Sequence, residues 1–134
     1  MKVLIDTCVS LDFIQQREPF FEDAKKLFEA VRNEEIEGYI TVKSLMDIHY
    51  VIKHILHDEK AVRTILENLL VLMKLLDSSA NDAAAALHSN VTDYEDALMA
   101  ETAVSKGMDH IVTRNIRDYK NAAIAALMPG ELIG

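Results

Sequence analysis

The chain opens on a run of uninterrupted apolar residues, Val3-Leu4-Ile5, closed at once by Asp6-Thr7. A strand with no polar alternation must be covered on both faces. That is the situation of a central strand in a parallel sheet flanked by helices. Such a strand requires helices for two layers and strands on both sides. The rest of the sequence meets that demand. Tyr39-Ile40-Thr41-Val42 reads as a second strand after a break at Gly38, Lys74-Leu75-Leu76-Asp77 as a weaker third, and His110-Ile111-Val112-Thr113 as the clearest late strand. Ile124 to Leu127 reads as a last edge strand before Pro129 and Gly130.

Helical patterns fill the intervals. A helix is expected over Val9 to Gln16, with Pro19 in the first turn of the next, where Phe20, Ala24, Leu27, Phe28 and Val31 recur at helical spacing. A third runs from Ser44 to Leu56 on the stripe Leu45, Ile48, Ile52 and Ile55, and Asp58 is placed to cap a fourth through Leu72. Asn81 or Asp82 starts an Ala-rich segment to Leu87. Thr92 or Asp93 caps a helix running to Lys106, which Gly107 ends. Strands alternating with helices predict a three-layer α/β/α sandwich around a central parallel sheet of four to five strands, formed by one domain over residues 1–134.

Composition narrows the class. Half of the residues are hydrophobic, which is a globular balance, and Trp is absent, so the core is aliphatic. The single cysteine, Cys8, excludes an intrachain disulfide and fits a reducing, cytoplasmic setting. No stretch is long and apolar enough for a membrane span or a signal peptide. A formal charge of −8 argues against a generic nucleic-acid binder, unless clustered acids hold a divalent ion that inverts the local field.

Such a cluster is what the acids suggest. In an open parallel sheet the functional crevice lies beyond the C-terminal ends of the strands. Asp6 ends the first strand. Asp47 sits one turn into the helix after the second. Asp93 and Asp96 share a face at a helix start, and Asn115 and Asp118 follow the late strand. Converging carboxylates without bases repel, and oxygen-only ligands suit Mg²⁺ or Mn²⁺, whereas the Cys/His pairs of a zinc site are missing. Metal-assisted phosphodiester cleavage is the leading chemistry. A phosphatase of the haloacid-dehalogenase type would want an acid at position 8, where Cys8 stands, and a receiver domain would place its phosphoacceptor later in the chain.

These segments resemble the PIN-domain family, close to the ribonuclease toxins of toxin–antitoxin pairs. The resemblance rests on Asp6-Thr7, on Ser44 to Val51 with Asp47 in place of the usual Glu, on Asp93-x-x-Asp96-Ala97, and on Thr113-Arg114-Asn115 with Asp118-Tyr119. It implies Mg²⁺- or Mn²⁺-dependent endoribonuclease activity on single-stranded RNA, a homodimer, and neutralisation by a small antitoxin on a separate chain. The alternative is a catalytically weak PIN-like domain that binds RNA or a protein partner. Asp6 and Asp96 are expected as direct ligands, Asp47 as the group that orients or activates the attacking water, and Asp118 and Asp93 as additional acids. Each has a plainer reading: Asp6 and Asp93 as helix caps, Asp96 as a first-turn acid favoured by the helix dipole, Asp47 as a solvated acid and Asp118 as a loop acid. Thr7, Thr113 and Asn115 are candidates to support ligands. Arg114 is read either as an RNA phosphate contact or as an ion-pair partner, and Lys43, Lys53 and His54 as phosphate contacts or a solvated face. Cys8 stands where many relatives have Asn, and Asn115 where an Asp is common.

Overall fold

The computed structural model describes residues 1–133. Its five strands form a single all-parallel sheet in the order β3-β2-β1-β4-β5, so the opening strand β1 (Lys2–Ile5) is central. It pairs on one side with β2 (Glu37–Thr41) and on the other with β4 (His110–Val112). β3 (Lys74–Leu76) and β5 (Ala126–Leu127) are the edges. The strand alternation sorts side chains between two cores. Val3, Ile5, Ile40 and Val112 face one layer of helices, while Leu4, Tyr39 and Ile111 face the other.

The first layer contains α1 (Thr7–Ile14), α2 (Phe21–Arg32), α3 (Val42–Leu56) and α4 (Glu59–Leu72), whose Val9, Leu27, Phe28, Ile48, Ile52, Val62 and Leu69 pack into the first core. The second contains α5 (Ala80–Ala86) and α6 (Tyr94–Ser105). There the small residues Ala97, Ala100 and Ala103 let α6 lie close on the sheet. A 3₁₀ turn (Ile116–Tyr119) follows β4, and a short helix α7 (Pro129–Ile133) ends the described chain.

Several boundaries differ from the sequence reading, each for a local reason. Asp6 is itself the N-cap of α1, so that helix starts at Thr7 rather than Val9. Gly38 does not interrupt β2 but lies inside it, where a Cβ would come within 2.6 Å of Met73 Sδ and only glycine leaves room. Val42 begins α3 instead of ending β2, because the Thr41 hydroxyl accepts the Ser44 N–H and caps the helix there. Pro19 lies in the turn ahead of α2 rather than in its first turn. Ser79, in a reciprocal capping box with Asp82, starts α5 earlier than Asn81. Ile124 packs in the second core and leaves β5 only two residues, and Pro129, which follows that strand, stands at the first position of α7. Gly107 ends α6 with φ +74, as its position predicts.

The chain order places the functional crevice. From β1 the chain moves outward through β2 and β3, then returns to β4 on the opposite side of β1. The C-terminal ends of β1 and β4 are therefore a topological switch point, where loops diverge and leave a cleft. Ile5 is in register with Val112, and the Asp6 N–H donates to the Val112 carbonyl at 2.9 Å. Asp6 and Thr113 therefore emerge side by side at this point.

Candidate metal centre

Asp6 is bonded through both carboxylate oxygens. Oδ1 accepts the Thr7 N–H at 2.8 Å, which is the α1 cap. Oδ2 accepts the Thr113 hydroxyl at 2.8 Å and lies 3.3 Å from the Tyr119 hydroxyl. All three donors are neutral. Burial pushes the Asp6 carboxyl above its usual range, against the lowering effect of the Thr113, Thr7 and Tyr119 bonds, and the nearby Asp118 charge pushes it further.

Asp96 approaches from α6. Its Oδ1 is 3.3 Å from the same Tyr119 hydroxyl. That hydroxyl has one proton, so it can satisfy one carboxylate at a time. Asp96 is pushed up to about 6, first by burial and then by the charges of Asp93, Asp6 and Asp118, with the Tyr119 bond acting the other way. Burial and then the two carboxylates hold the Tyr119 phenol far above its ordinary value, so it stays protonated and remains a donor. The centre is therefore two desolvated carboxylates joined by one phenol, repelled by two further acids and touched by no base.

The remaining expected residues divide. Asp93 caps α6, its Oδ2 accepting the Asp96 N–H at 3.1 Å, and its charge falls on Asp96. Asp118, exposed on the 3₁₀ turn, acts on both Asp6 and Asp96. Thr113 is fully buried and supports Asp6 directly, while the Thr7 hydroxyl is 2.8 Å from that of Ser44 and ties α1 to the start of α3. Asp47 is held by a base: Lys43 Nζ contacts both its oxygens, at 2.8 and 2.6 Å, and also lies 3.4 Å from Glu95, the neighbour of Asp96. Arg114 turns away from the cleft. Its Nε and Nη2 donate to Asp12 at 2.6 and 3.2 Å, and its guanidinium lies 4.0 Å over the Phe20 ring. Asn115 Nδ2 lies 4.0 Å from Cys8 Sγ, and burial followed by the Asp6 charge raises the Cys8 thiol, which keeps it protonated and unreactive. Lys53 lies 4.0 Å from Glu59, and the His54 ring is tilted against that of Tyr50 at 4.2 Å.

Among the described residues no three His, Cys, Asp or Glu side chains form a ready-made cage. The donor set nevertheless suits a hard cation that retains most of its waters, since Mg²⁺ is commonly held by one or two carboxylates. A cation placed between Asp6 and Asp96 would offset the burial, and the like charges behind it, that raise both carboxyls. Tyr119 and Glu95 are the residues that the sequence reading passed over. Tyr119 was visible only as the end of a motif, and its contact with Asp6 spans 113 positions.

A three-layer α/β domain with an acid pair at the switch point of its sheet is a recognised class of protein architecture. This chain belongs to the PIN-domain family, whose model matches residues 2–117. Among solved structures, VapBC2 from Rickettsia felis, bound to a DNA fragment from its promoter, is similar in fold with a TM-score of 0.71 and 15% identity, covering 96% of this chain and 98% of that one. A toxin–antitoxin complex from Klebsiella pneumoniae matches with a TM-score of 0.69 and 21% identity over 95% and 97% of the two chains. VapC20 from Mycobacterium tuberculosis, a Sarcin-Ricin loop cleaving toxin, matches at 0.63 and 14% identity over 81% and 86%. Comparison with curated proteins found no match.

Proposed function

We propose that this chain is a Mg²⁺- or Mn²⁺-dependent endoribonuclease and the toxin of a toxin–antitoxin pair. The observation that carries the reading is the Asp6–Tyr119–Asp96 bridge: two desolvated acids with neutral partners only, at the switch point of a PIN-domain sheet. Asp6 and Asp96 would hold the cation, with Asp118 and Asp93 as outer acids. When bound, the cation supplies Lewis-acid stabilisation of the charge that develops on a phosphodiester under attack by water. Thr113 and Tyr119 keep the Asp6 carboxylate oriented, and the Thr7 N–H fixes its other oxygen. Asp47, released from Lys43, orients the attacking water, and Lys43 is then free to face the substrate.

Two surfaces support the partners. A groove of about 500 Å³ between α1, α2 and α4, lined by Phe13, Ile14, Phe21, Phe28, Ile65 and Leu69, suits an apolar segment of a small antitoxin. Val42, Met46 and Tyr50 stand at four-residue intervals on α3, 43%, 57% and 64% exposed, and this apolar stripe suits a homodimer contact. No helix in the described residues is long and apolar enough to cross a membrane.

The test has two parts. Single-stranded RNA should be cleaved with Mg²⁺ or Mn²⁺ and not by Asp6→Asn, and calorimetric Mn²⁺ binding should be lost in Asp6→Ala and Asp96→Ala. Unchanged binding in both variants would sink the site. A second reading, a PIN domain that binds RNA or a partner without turnover, is favoured by the grip of Lys43 on Asp47 and by Asn115 in place of an acid. RNA retained but uncut under every divalent metal would select it.

A further inference from the structure

Asp96 of the acid pair lines a cavity of about 270 Å³ whose wall also contains Asp93 and Asp118 together with Arg117 and Lys120. Cations lining the same hollow as three carboxylates would be expected to pair with them. Among the described residues neither does: Arg117 and Lys120 take part in none of the ion pairs. The 3₁₀ turn explains the separation. Side chains three positions apart on such a turn eclipse one another, and the Lys120 N–H donates to the Arg117 carbonyl at 3.3 Å. Arg117 and Lys120 therefore leave from one side, both exposed, while the buried Tyr119 between them reaches inward to Asp6 and Asp96. One short turn thus carries an inward group that braces the acid pair and two outward cations with their donors unspent.

In a chain of net charge −8, a polyanion can approach this edge only where the repulsion is offset locally. The geometry points to Arg117 and Lys120 as a phosphate-binding rim that takes backbone phosphates of single-stranded RNA flanking the one presented to Asp6 and Asp96. This rests on the nuclease reading above and names how its substrate is held. Arg117 offers a planar fork for two phosphate oxygens, Lys120 a mobile point charge. The contacts are to the backbone, so the rim contributes affinity and register without reading base identity.

The experiment titrates a fluorescein-labelled, mixed-sequence single-stranded RNA into Asp6→Asn protein across a range of salt concentrations, with and without Arg117→Gln and Lys120→Gln. Asp6→Asn stops cleavage and keeps a good helix cap. Each substitution should lower the slope of log affinity against log salt by about 0.7, as expected for one lost single-strand phosphate contact. The pair together should weaken binding at low salt at least about tenfold. Mn²⁺ affinity, measured in the wild-type background, should be unchanged by either. An unaltered slope and affinity in the double variant overturns the rim while leaving the nuclease reading intact. Loss of Mn²⁺ binding in the rim variants also overturns it, because these side chains would then be shaping the acid pair. Failure of Asp6→Asn to bind RNA at any salt overturns the rim and the nuclease reading together.

Discussion

Asp6 and Asp12 lie six positions apart on the same short stretch, both are withdrawn from solvent, and the fold treats them oppositely. Asp12, 1% exposed, receives two N–H groups from Arg114, with Arg17 Nη1 at 4.0 Å behind. Asp6 receives a backbone N–H and two hydroxyls, and no cation. The two are served by adjacent residues, Thr113 for Asp6 and Arg114 for Asp12. A guanidinium is thus available two residues past the strand end and is spent on the neighbouring acid. The missing base at Asp6 is therefore not a shortage in an acidic chain. A buried carboxylate with a built-in cation belongs to the scaffold, whereas one supplied only with neutral donors beside a second such acid is what the proposed metal site requires.

The comparison breaks most visibly at the scaffold end. Asp12→Ala strands Arg114 half-withdrawn from water without its anion, and breaking a buried pair on one side costs about 3–5 kcal/mol. Denaturant unfolding should show a loss of that size, toward its lower end because Arg114 keeps some solvent contact. Asp6→Asn should behave in reverse. The cap survives, a desolvated charge is removed, and metal-free stability should stay within about 1 kcal/mol of wild type. Its cost falls on function: Mn²⁺ affinity and RNA cleavage should drop more than about 100-fold, beyond what loss of a supporting contact costs. If Asp6→Asn proves as destabilising as Asp12→Ala, the two acids are both scaffold and the distinction fails.

This contrast was only half legible in the sequence. The apolar run ahead of Asp6-Thr7 placed Asp6 at a strand end on local grounds, and Asp58, Asp93 and Gly107 announced their helix ends because capping depends on neighbours within a turn. Asp12 drew no notice, since an acid inside a helical pattern looks like its solvent face and its partner lies 102 positions away. The same distance effect hid Tyr119. It also left Arg114 open between phosphate and carboxylate until the register of β1 against β4 put the Thr113-Arg114 pair beside α1. Lys43 and Asp47, one turn apart on α3, were within reach of a sequence argument from i,i+4 pairing, but the added approach to Glu95 of α6 depends on tertiary structure.

A smaller effect sharpens the comparison through pH. Asp96 holds its proton more tightly in the folded chain, at about 6 against an ordinary 3.8, so the folded state takes up a proton in that window. Acidification from above 6 toward 4 therefore stabilises the metal-free protein through this group. The opposite trend comes from Glu59 and Asp82, whose carboxyls are held low and lose their contribution as pH falls through their folded values. Subtracting Asp96→Asn from wild type isolates the Asp96 part. The difference in unfolding free energy should favour Asp96→Asn at neutral pH and shrink as pH falls toward 4. Saturating Mn²⁺ should abolish the wild-type penalty, and Mn²⁺ affinity should itself decline below about pH 6 as protons compete for the carboxylates.

The smallest expected effect tests the bridge itself. Tyr119→Phe keeps the buried ring in the second core and deletes only the hydroxyl that lies 3.3 Å from both acids. Asp6 retains Thr113 and Thr7, so its orientation is loosened rather than lost, and Mn²⁺ affinity should fall about tenfold, at the low end for a supporting partner. Asp96 has no other side-chain donor at that oxygen and should move more than Asp6 does. The double variants separate the two: Tyr119→Phe should cost less when added to Asp96→Asn than when added to wild type, because half of what the hydroxyl braces is already gone. If instead Mn²⁺ binds more tightly to Tyr119→Phe, the phenol is a competitor that the cation must displace. The acid pair would then be closed in its metal-free form by the same residue that otherwise holds it ready.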